Sequence, residues 1–515
     1  MAITFTKKTL FLLAVILLAG SCQRKQEQEA QIELSELTID EIHTAYKNGT
    51  YNAQQLVKAY SSRIKEYDEK INAITLINPE ALSVAESLDK EFKETGVLRP
   101  LHGIPLIVKD NINTAGLPTT AGSLALQHYI PDEDAFIIQK LVEAGAIVLA
   151  KSNMAEWAFS PMHSESSTAG TTRNPYNLAY VPAGSSGGTG AAIAANFGTV
   201  GLGTDTGNSI RGPSSHGALV GMRTTLGLVS RSGIVPLYLR NDVVGPMCRT
   251  VTDAVRLLEA MQGYDPEDPI TRHAKGKTPG DYSQFLRKEG LRGARIGVLR
   301  ILSEADPDPE VHALFERALT DLKTLGATVV DPVVIPDFST LSENQWCATF
   351  REDLETFLAV YVKSDSLKTL EDLIRVGSKS DFARERLQRN AENSGRWQDA
   401  EIPCGDPYTD PLRVAFREGI EKVMDSLGLD ALVYPTWNNK PAKIDQFAGQ
   451  YRGDNSQLIS PHTGQPAFTV PMGFTSGNLP AGLQFLGRMF DEPTLIRLAY
   501  GYEQGTDHRK PPKLD

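Results

Sequence analysis

The sequence predicts an α/β protein built on a largely parallel or mixed β-sheet. Three observations carry this. Short apolar runs with strand character alternate with amphipathic helical stretches along the chain. The composition, 41% hydrophobic and 22% charged, belongs to a chain that can bury a core, not to a disordered one. The 43 Gly and 30 Pro follow no strict period and no internal repeat is found, which excludes collagen-like, low-complexity and solenoid architectures. Length alone, 515 residues, suggests about three domains. Lys plus Arg number 52 against 63 Asp plus Glu, a net −11 with no basic stretch in the body. That balance argues against a dedicated nucleic-acid binder, so no nucleic-acid partner is expected.

Taken in order, the chain opens with Lys7 and Lys8, an unbroken apolar run from Leu10 to Leu18, and the small residues Ala19, Gly20 and Ser21 before Cys22. A basic start, a short apolar core and small residues read as a secretory signal over 1–21. The run is too short to span a membrane comfortably, which takes about 20 apolar residues. Leu18 to Cys22 resembles the lipobox of bacterial lipoproteins, although that pattern more often carries Leu where this chain has Ala19. The resemblance implies a lipidated Cys22, a polar tether over 22–34, and an exported protein anchored by lipid in the periplasm or outer membrane of the cell envelope. Cys248, Cys347 and Cys404 fall in no C-x-x-C pair and read as buried small hydrophobes, with no metal site.

Ile39 to Tyr67 has helical periodicity, with Ile42, Leu56, Val57, Tyr60 and Ile64 on recurring faces. Gly103 to Lys109 is an apolar run ending at a charged tip, a buried-strand signal. Asp134 to Ala144 reads as helix, Ala146 to Ala150 as strand, and Thr189 to Asn196 as a small-residue helix after a glycine-rich turn. Thr252 to Met261, Pro309 to Leu325 and Leu412 to Leu427 read as amphipathic helices. Strand signals fall at Ile296 to Leu299, Thr328 to Ile335, Ala431 to Tyr434, Ala467 to Val470 and Gly482 to Leu486, before a helix from Glu492 to Glu503. Segment 265–285 is rich in Pro, Gly and Lys and segment 375–410 is polar, and both read as loops or insertions.

Two small-residue clusters mark the chemistry: Pro182 to Gly188, containing Gly184-Ser185-Ser186-Gly187-Gly188, and Gly203 to Arg211. Glycines beside hydroxyls let backbone N–H groups approach a ligand closely. No phosphate-loop pattern occurs. The first cluster matches G-x-S-x-G formally, which would make Ser186 the nucleophile of a His-dependent esterase. The proline-containing stretch from Asn174 to Pro182 is a poor version of the strand such an elbow requires.

Lys109-Asp110-Asn111, the Gly184–Gly188 run and the Thr204–Pro213 run together resemble the amidase signature family. Ser185 and Ser209 are 24 residues apart, and Lys109 lies 76 residues before Ser185, as in that family. Flanking stretches at 100–105, 151–156, 245–249 and 482–487 fit as well. The resemblance implies one large α/β domain over 35–510, a mixed twisted central sheet surrounded by helices, followed by a tail at 511–515. It implies a Ser–Ser–Lys triad: Ser209 as nucleophile, Ser185 as bridging serine on a cis peptide, Lys109 as base. It also implies hydrolysis of a small-molecule or peptide amide through an acyl-enzyme, without metal or organic cofactor. The physical logic is independent of the likeness. A serine hydroxyl needs a base to take its proton, and lysine serves only when neutral, so burial must lower its pKa.

Backbone N–H groups of Thr206, Gly207, Asn208 and Ser209 would form the oxyanion hole, with Asp205 and Arg211 bracing the loop. The family usually has glycine where this chain has Asn208. Asparagine tolerates a left-handed backbone better than most residues, and its side chain would narrow the acyl pocket or add a hydrogen bond. His102, His163 and His216 fit no compact metal motif and read as satisfied structural histidines. Glu156, Trp157 and Met162 are candidates to line the pocket, with core packing as the alternative. A non-catalytic binding protein on the same scaffold is the remaining alternative.

Overall fold

The computed structural model describes residues 32–393, 395–396 and 402–514. The segment read as a signal peptide, Cys22 and the tether up to residue 31 lie outside the described residues. From Leu34 onward the chain forms one unit, in place of the three domains that length alone suggests.

Its centre is an eleven-stranded mixed sheet. The strands are β1 (Ile74–Ile77), β2 (Pro105–Lys109), β3 (Ile147–Ser152), β4 (Val200–Asp205), β5 (Val220–Arg223), β6 (Val243–Cys248), β7 (Arg295–Val298), β8 (Thr328–Val330), β9 (Ala431–Pro435), β10 (Ala467–Thr475) and β11 (Leu479–Leu486). They lie side by side in the order β1-β3-β2-β4-β6-β5-β10-β11-β9-β7-β8. Two parallel groups, β3-β2-β4 and β9-β7-β8, flank an antiparallel middle. Helices cover the faces, so β2, β3 and β4 are buried at every residue and read as continuous apolar or small runs instead of alternating ones.

This topology positions the site. β3, β2 and β4 run the same way, so Ser152, Lys109 and Asp205 reach one rim at the strands' C-terminal ends, where open α/β sheets place their ligands. β4 escapes sequence reading because Gly201 and Gly203 weaken a strand signal. Both are needed: a Cβ on Gly201 would stand 2.7 Å from the Thr189 methyl, and one on Gly203 2.6 Å from Met247 Sδ. The helix Gly187–Ala194 therefore packs directly on the strand.

Several expectations change in detail. The periodic stretch 39–67 is two helices, Ile39–Asn48 and Ala53–Ile71, parted where Gly49 turns left-handed and Asn52 caps the second. The strand expected to Ile335 stops at Val330, before Pro332, which has no N–H for a ladder. Segment 375–410 is not simply loop: it holds the helix Asp381–Glu392, capped by Ser380. The expectation of three unpaired cysteines fails as well. Cys248 is buried and free, whereas Cys347 and Cys404 form a disulfide with Cα atoms 5.9 Å apart. Their separation of 57 residues carries no sequence signal; a short strand pair, Cys347–Ala348 against Gly395–Arg396, draws the two segments together.

Candidate active site

Lys109 ends β2 with its side chain fully buried. Its Nζ donates to Ser185 Oγ at 2.7 Å and to Thr204 Oγ1 at 2.8 Å. Asn111 Nδ2 donates to the same threonine at 3.2 Å. Burial holds the ammonium down, to about 7, against the opposing pull of Asp205 and Asp242. A second buried lysine, Lys151, donates to Ile112 O at 2.6 Å and Thr119 Oγ1 at 3.0 Å and lies 3.8 Å from Asp110 Oδ1. It ties down the chain just beyond Lys109, whereas Lys109 itself meets only hydroxyls.

Ser185 follows a cis peptide from Gly184. The glycines around it serve close approach, not left-handed backbone. A Cβ on Gly184 would meet His163 O at 2.3 Å, one on Gly187 Ser164 Oγ at 2.3 Å, and one on Gly188 Asn153 O at 2.1 Å. Ser186 is spent structurally: its hydroxyl donates to Thr204 O at 3.1 Å and accepts from Thr204 N at 3.3 Å. Among the described residues no histidine joins it, which removes the geometry an esterase elbow would need.

After β4 the chain curls through Thr206, Gly207, Asn208 and Ser209. All four line one cleft, and among the described residues none of their four amides donates to another protein group. Buried amides are otherwise almost always paired, so this loop is a set of donors awaiting an acceptor. The loop's shape is held from behind. Asp205 accepts from Ile210 N and from Arg211 Nε, both at 3.1 Å, and from Arg223 Nη1 at 2.8 Å. All three side chains are fully buried. Burial alone would raise the Asp205 carboxyl, but the two guanidiniums outweigh it and hold it at about 2. Arg211 Nη2 also donates to Gly207 O at 2.7 Å. Asp205 and Arg211 thus form an interior brace, not a surface pair. Arg223 and Asp242, the latter accepting from Thr206 Oγ1 at 2.5 Å and from Leu237 N at 2.8 Å, complete it. Neither was visible in sequence, because neither sits in a motif; Thr204 opens the second motif, but its bond to Lys109 was not foreseen.

Ser209 lies on the cleft floor, 4% exposed. The structure brings Lys109 and Ser185 into contact, while the Ser209 hydroxyl donates to Asn208 Oδ1 at 3.4 Å. Asn208 does not take the left-handed backbone that its replacement of glycine suggested. The cleft walls are Ala158, Phe159, Leu237, Tyr238, Trp346, Arg386, Tyr451 and Gln457. Glu156, Trp157 and Met162 do not line it. Glu156 accepts from Ser167 and Ser378, and Trp157 packs edge-on to Phe350 in the core. His163 stacks on Phe447 at 3.8 Å and receives a Ser160 contact of 2.7 Å, and His102 Nε2 lies 3.0 Å from Leu88 O. Two histidines depart from the expected satisfied state: among the described residues His102 Nδ1 has no hydrogen-bond partner and neither ring nitrogen of His216, beside Trp437, has one, and burial holds the His216 ring at about 3, hence neutral.

The Amidase family model matches residues 55–496. A probable amidase of Arabidopsis thaliana is 34% identical, covering 97% of this chain and 96% of its own. A glutamyl-tRNA(Gln) amidotransferase subunit from Thermoanaerobacter pseudethanolicus is 34% identical, covering 94% and 99%. Among solved structures, the native peptide amidase of Stenotrophomonas maltophilia has a TM-score of 0.83 at 36% identity, covering 93% of this chain and 99% of that one.

Proposed function

Because the chain belongs to the amidase signature family, whose enzymes hydrolyse amides, we propose that it is an exported amidase cleaving peptide-type amides through an acyl-enzyme on Ser209. One observation carries the reading. Among the described residues, a fully buried lysine with no salt-bridged carboxylate touches Ser185, and four amides without protein acceptors line a cleft together with Ser209. Neutral Lys109 draws a proton from Ser185, which draws one from Ser209. Ser209 Oγ bonds to the carbonyl carbon, and the charge formed on oxygen meets the amides of 206–209. The C–N bond breaks as the proton returns along the relay to the amine. Water then repeats the sequence and releases the acid.

The peptide amidase neighbour supports a peptide-like substrate, and the aromatic walls at Phe159, Tyr238, Trp346 and Tyr451 offer apolar surface for its side chains. Export rests on the basic and apolar start of the chain, with lipid attachment at Cys22. The Cys347–Cys404 disulfide agrees with it, since such bonds persist in oxidising compartments. The domain limits follow the same reading: signal 1–21, tether 22–34, amidase 35–510, tail 511–515.

The test is turnover of a panel of peptide amides by purified protein. Ser209→Ala is expected to lose about 10⁴-fold or more in kcat, and Lys109→Ala a comparable factor. Normal turnover in both variants would refute the assignment.

A further inference from the structure

The side chain of Asn208 has no backbone reason to be where it is. The residue keeps an ordinary φ, so its role lies in its carboxamide, which is clamped. Nδ2 donates to Pro161 O at 3.1 Å. A carbonyl only accepts, so this bond fixes which way the amide faces. Gly212 makes the room: a Cβ there would stand 2.9 Å from Asn208 Nδ2 and 3.3 Å from the Trp437 ring. With the nitrogen committed, Oδ1 is presented to Ser209, whose hydroxyl donates to it at 3.4 Å. That bond is the only one the Ser209 side chain makes among the described residues.

An amide oxygen takes no proton near neutral pH. A hydroxyl that donates to it is therefore not being activated, because the same hydrogen must point at Ser185 for the relay to run. We propose that Asn208 is a positioning residue that parks the Ser209 hydroxyl on a non-basic acceptor, so that the nucleophile is released to Ser185 only when a ligand occupies the cleft. The bond is long and hence weak, as a latch opened by substrate requires. This inference rests on the amidase reading, since it concerns the nucleophile named there.

The experiment measures the rate at which a fluorophosphonate labels Ser209 in the full-length protein, with Ser209→Ala as the blank. In this reaction Oγ bonds to phosphorus, fluoride leaves, and the hydroxyl proton passes into the relay. Asn208→Gly removes the parking acceptor and is expected to label about three- to tenfold faster, the worth of one neutral hydrogen bond. Asn208→Asp supplies a stronger, charged acceptor and is expected to label about tenfold to a hundredfold slower. On peptide amides the glycine variant should lower KM with kcat unchanged, because the latch is already open once substrate is bound. A purely structural clamp onto Pro161 is broken in both variants and predicts slowing in both, which would overturn the proposal. Equal rates in all three proteins would overturn it too. If the unsubstituted protein labels at no rate above the Ser209→Ala blank, the amidase reading fails and this inference with it. Melting temperatures identify a variant that is merely misfolded, in which case Asn208→Ala and Asn208→Ser replace it with the same expected direction as glycine.

Discussion

Residues 109–223 and residues 346–457 meet at the same cleft but are built on opposite principles. The first region makes its site from backbone: a strand tip, a turn whose glycines lie against carbonyl groups, and a loop of unpaired amides held by Asp205. Most of its residues are buried, and from Val181 to Arg223 every one is. The second makes its contribution from side chains, Trp346, Arg386, Tyr451 and Gln457, on short helices and connections where buried and exposed positions alternate. On the proposed function, chemistry depends on chain path and selectivity on what hangs from it. The two should therefore respond differently to substitution.

The largest difference is expected at Asp205. Asp205→Ala leaves Arg211 and Arg223 buried without their shared carboxylate, which costs about 3–5 kcal/mol of folding stability. Denaturant unfolding would measure it, and a loss no greater than that of a cleft-wall variant would break the contrast. Next comes the staple in the second region. Removing the disulfide with Cys347→Ser and Cys404→Ser together should cost about 2–4 kcal/mol. Reductant should bring the unsubstituted protein to the same melting temperature and leave the double variant unmoved. Because Cys347 follows Trp346 directly, KM should rise as well. The smallest effect is the most discriminating. In the proposed relay Lys109 is a base only when neutral, so with its pKa held down to about 7 by burial, kcat/KM should climb as pH rises through that value and then level off. Trp346→Ala should keep this limb in place while raising KM about tenfold, equivalent to about 1.4 kcal/mol of binding. A displaced limb in that variant, or an acid optimum in either protein, would show that wall and chemistry are not separable.

The same contrast decides what sequence reading could reach. Lys109, Ser185, Ser209 and the loop 206–209 stood out in the sequence by their spacings, and the structure puts Lys109 against Ser185 and the loop with Ser209 in one cleft. The α/β class and most strands followed from apolar runs such as β2. β4 did not, because the glycines that let the helix Gly187–Ala194 touch it also erase its strand signal. Arg223 and Asp242 act through contacts between elements 18 and 36 residues apart with no local pattern to mark them, and the Thr204 bond to Lys109, 95 residues away, is equally silent in sequence. The disulfide and the cleft wall failed for the same reason. Trp346 and Arg386 are ordinary members of amphipathic stretches until the fold turns them toward Ser209.

Gly184, caught between the carbonyls of Ser160 and His163, has a consequence for how such a protein can diversify. No larger residue can be sampled there without moving two stretches of main chain at once, so inherited change at the turn is blocked in single steps. Trp346, Arg386 and Tyr451 face no such barrier. On the proposed function, descendants of this chain can exchange one amide for another through those positions while the apparatus that cuts the bond is handed down unaltered.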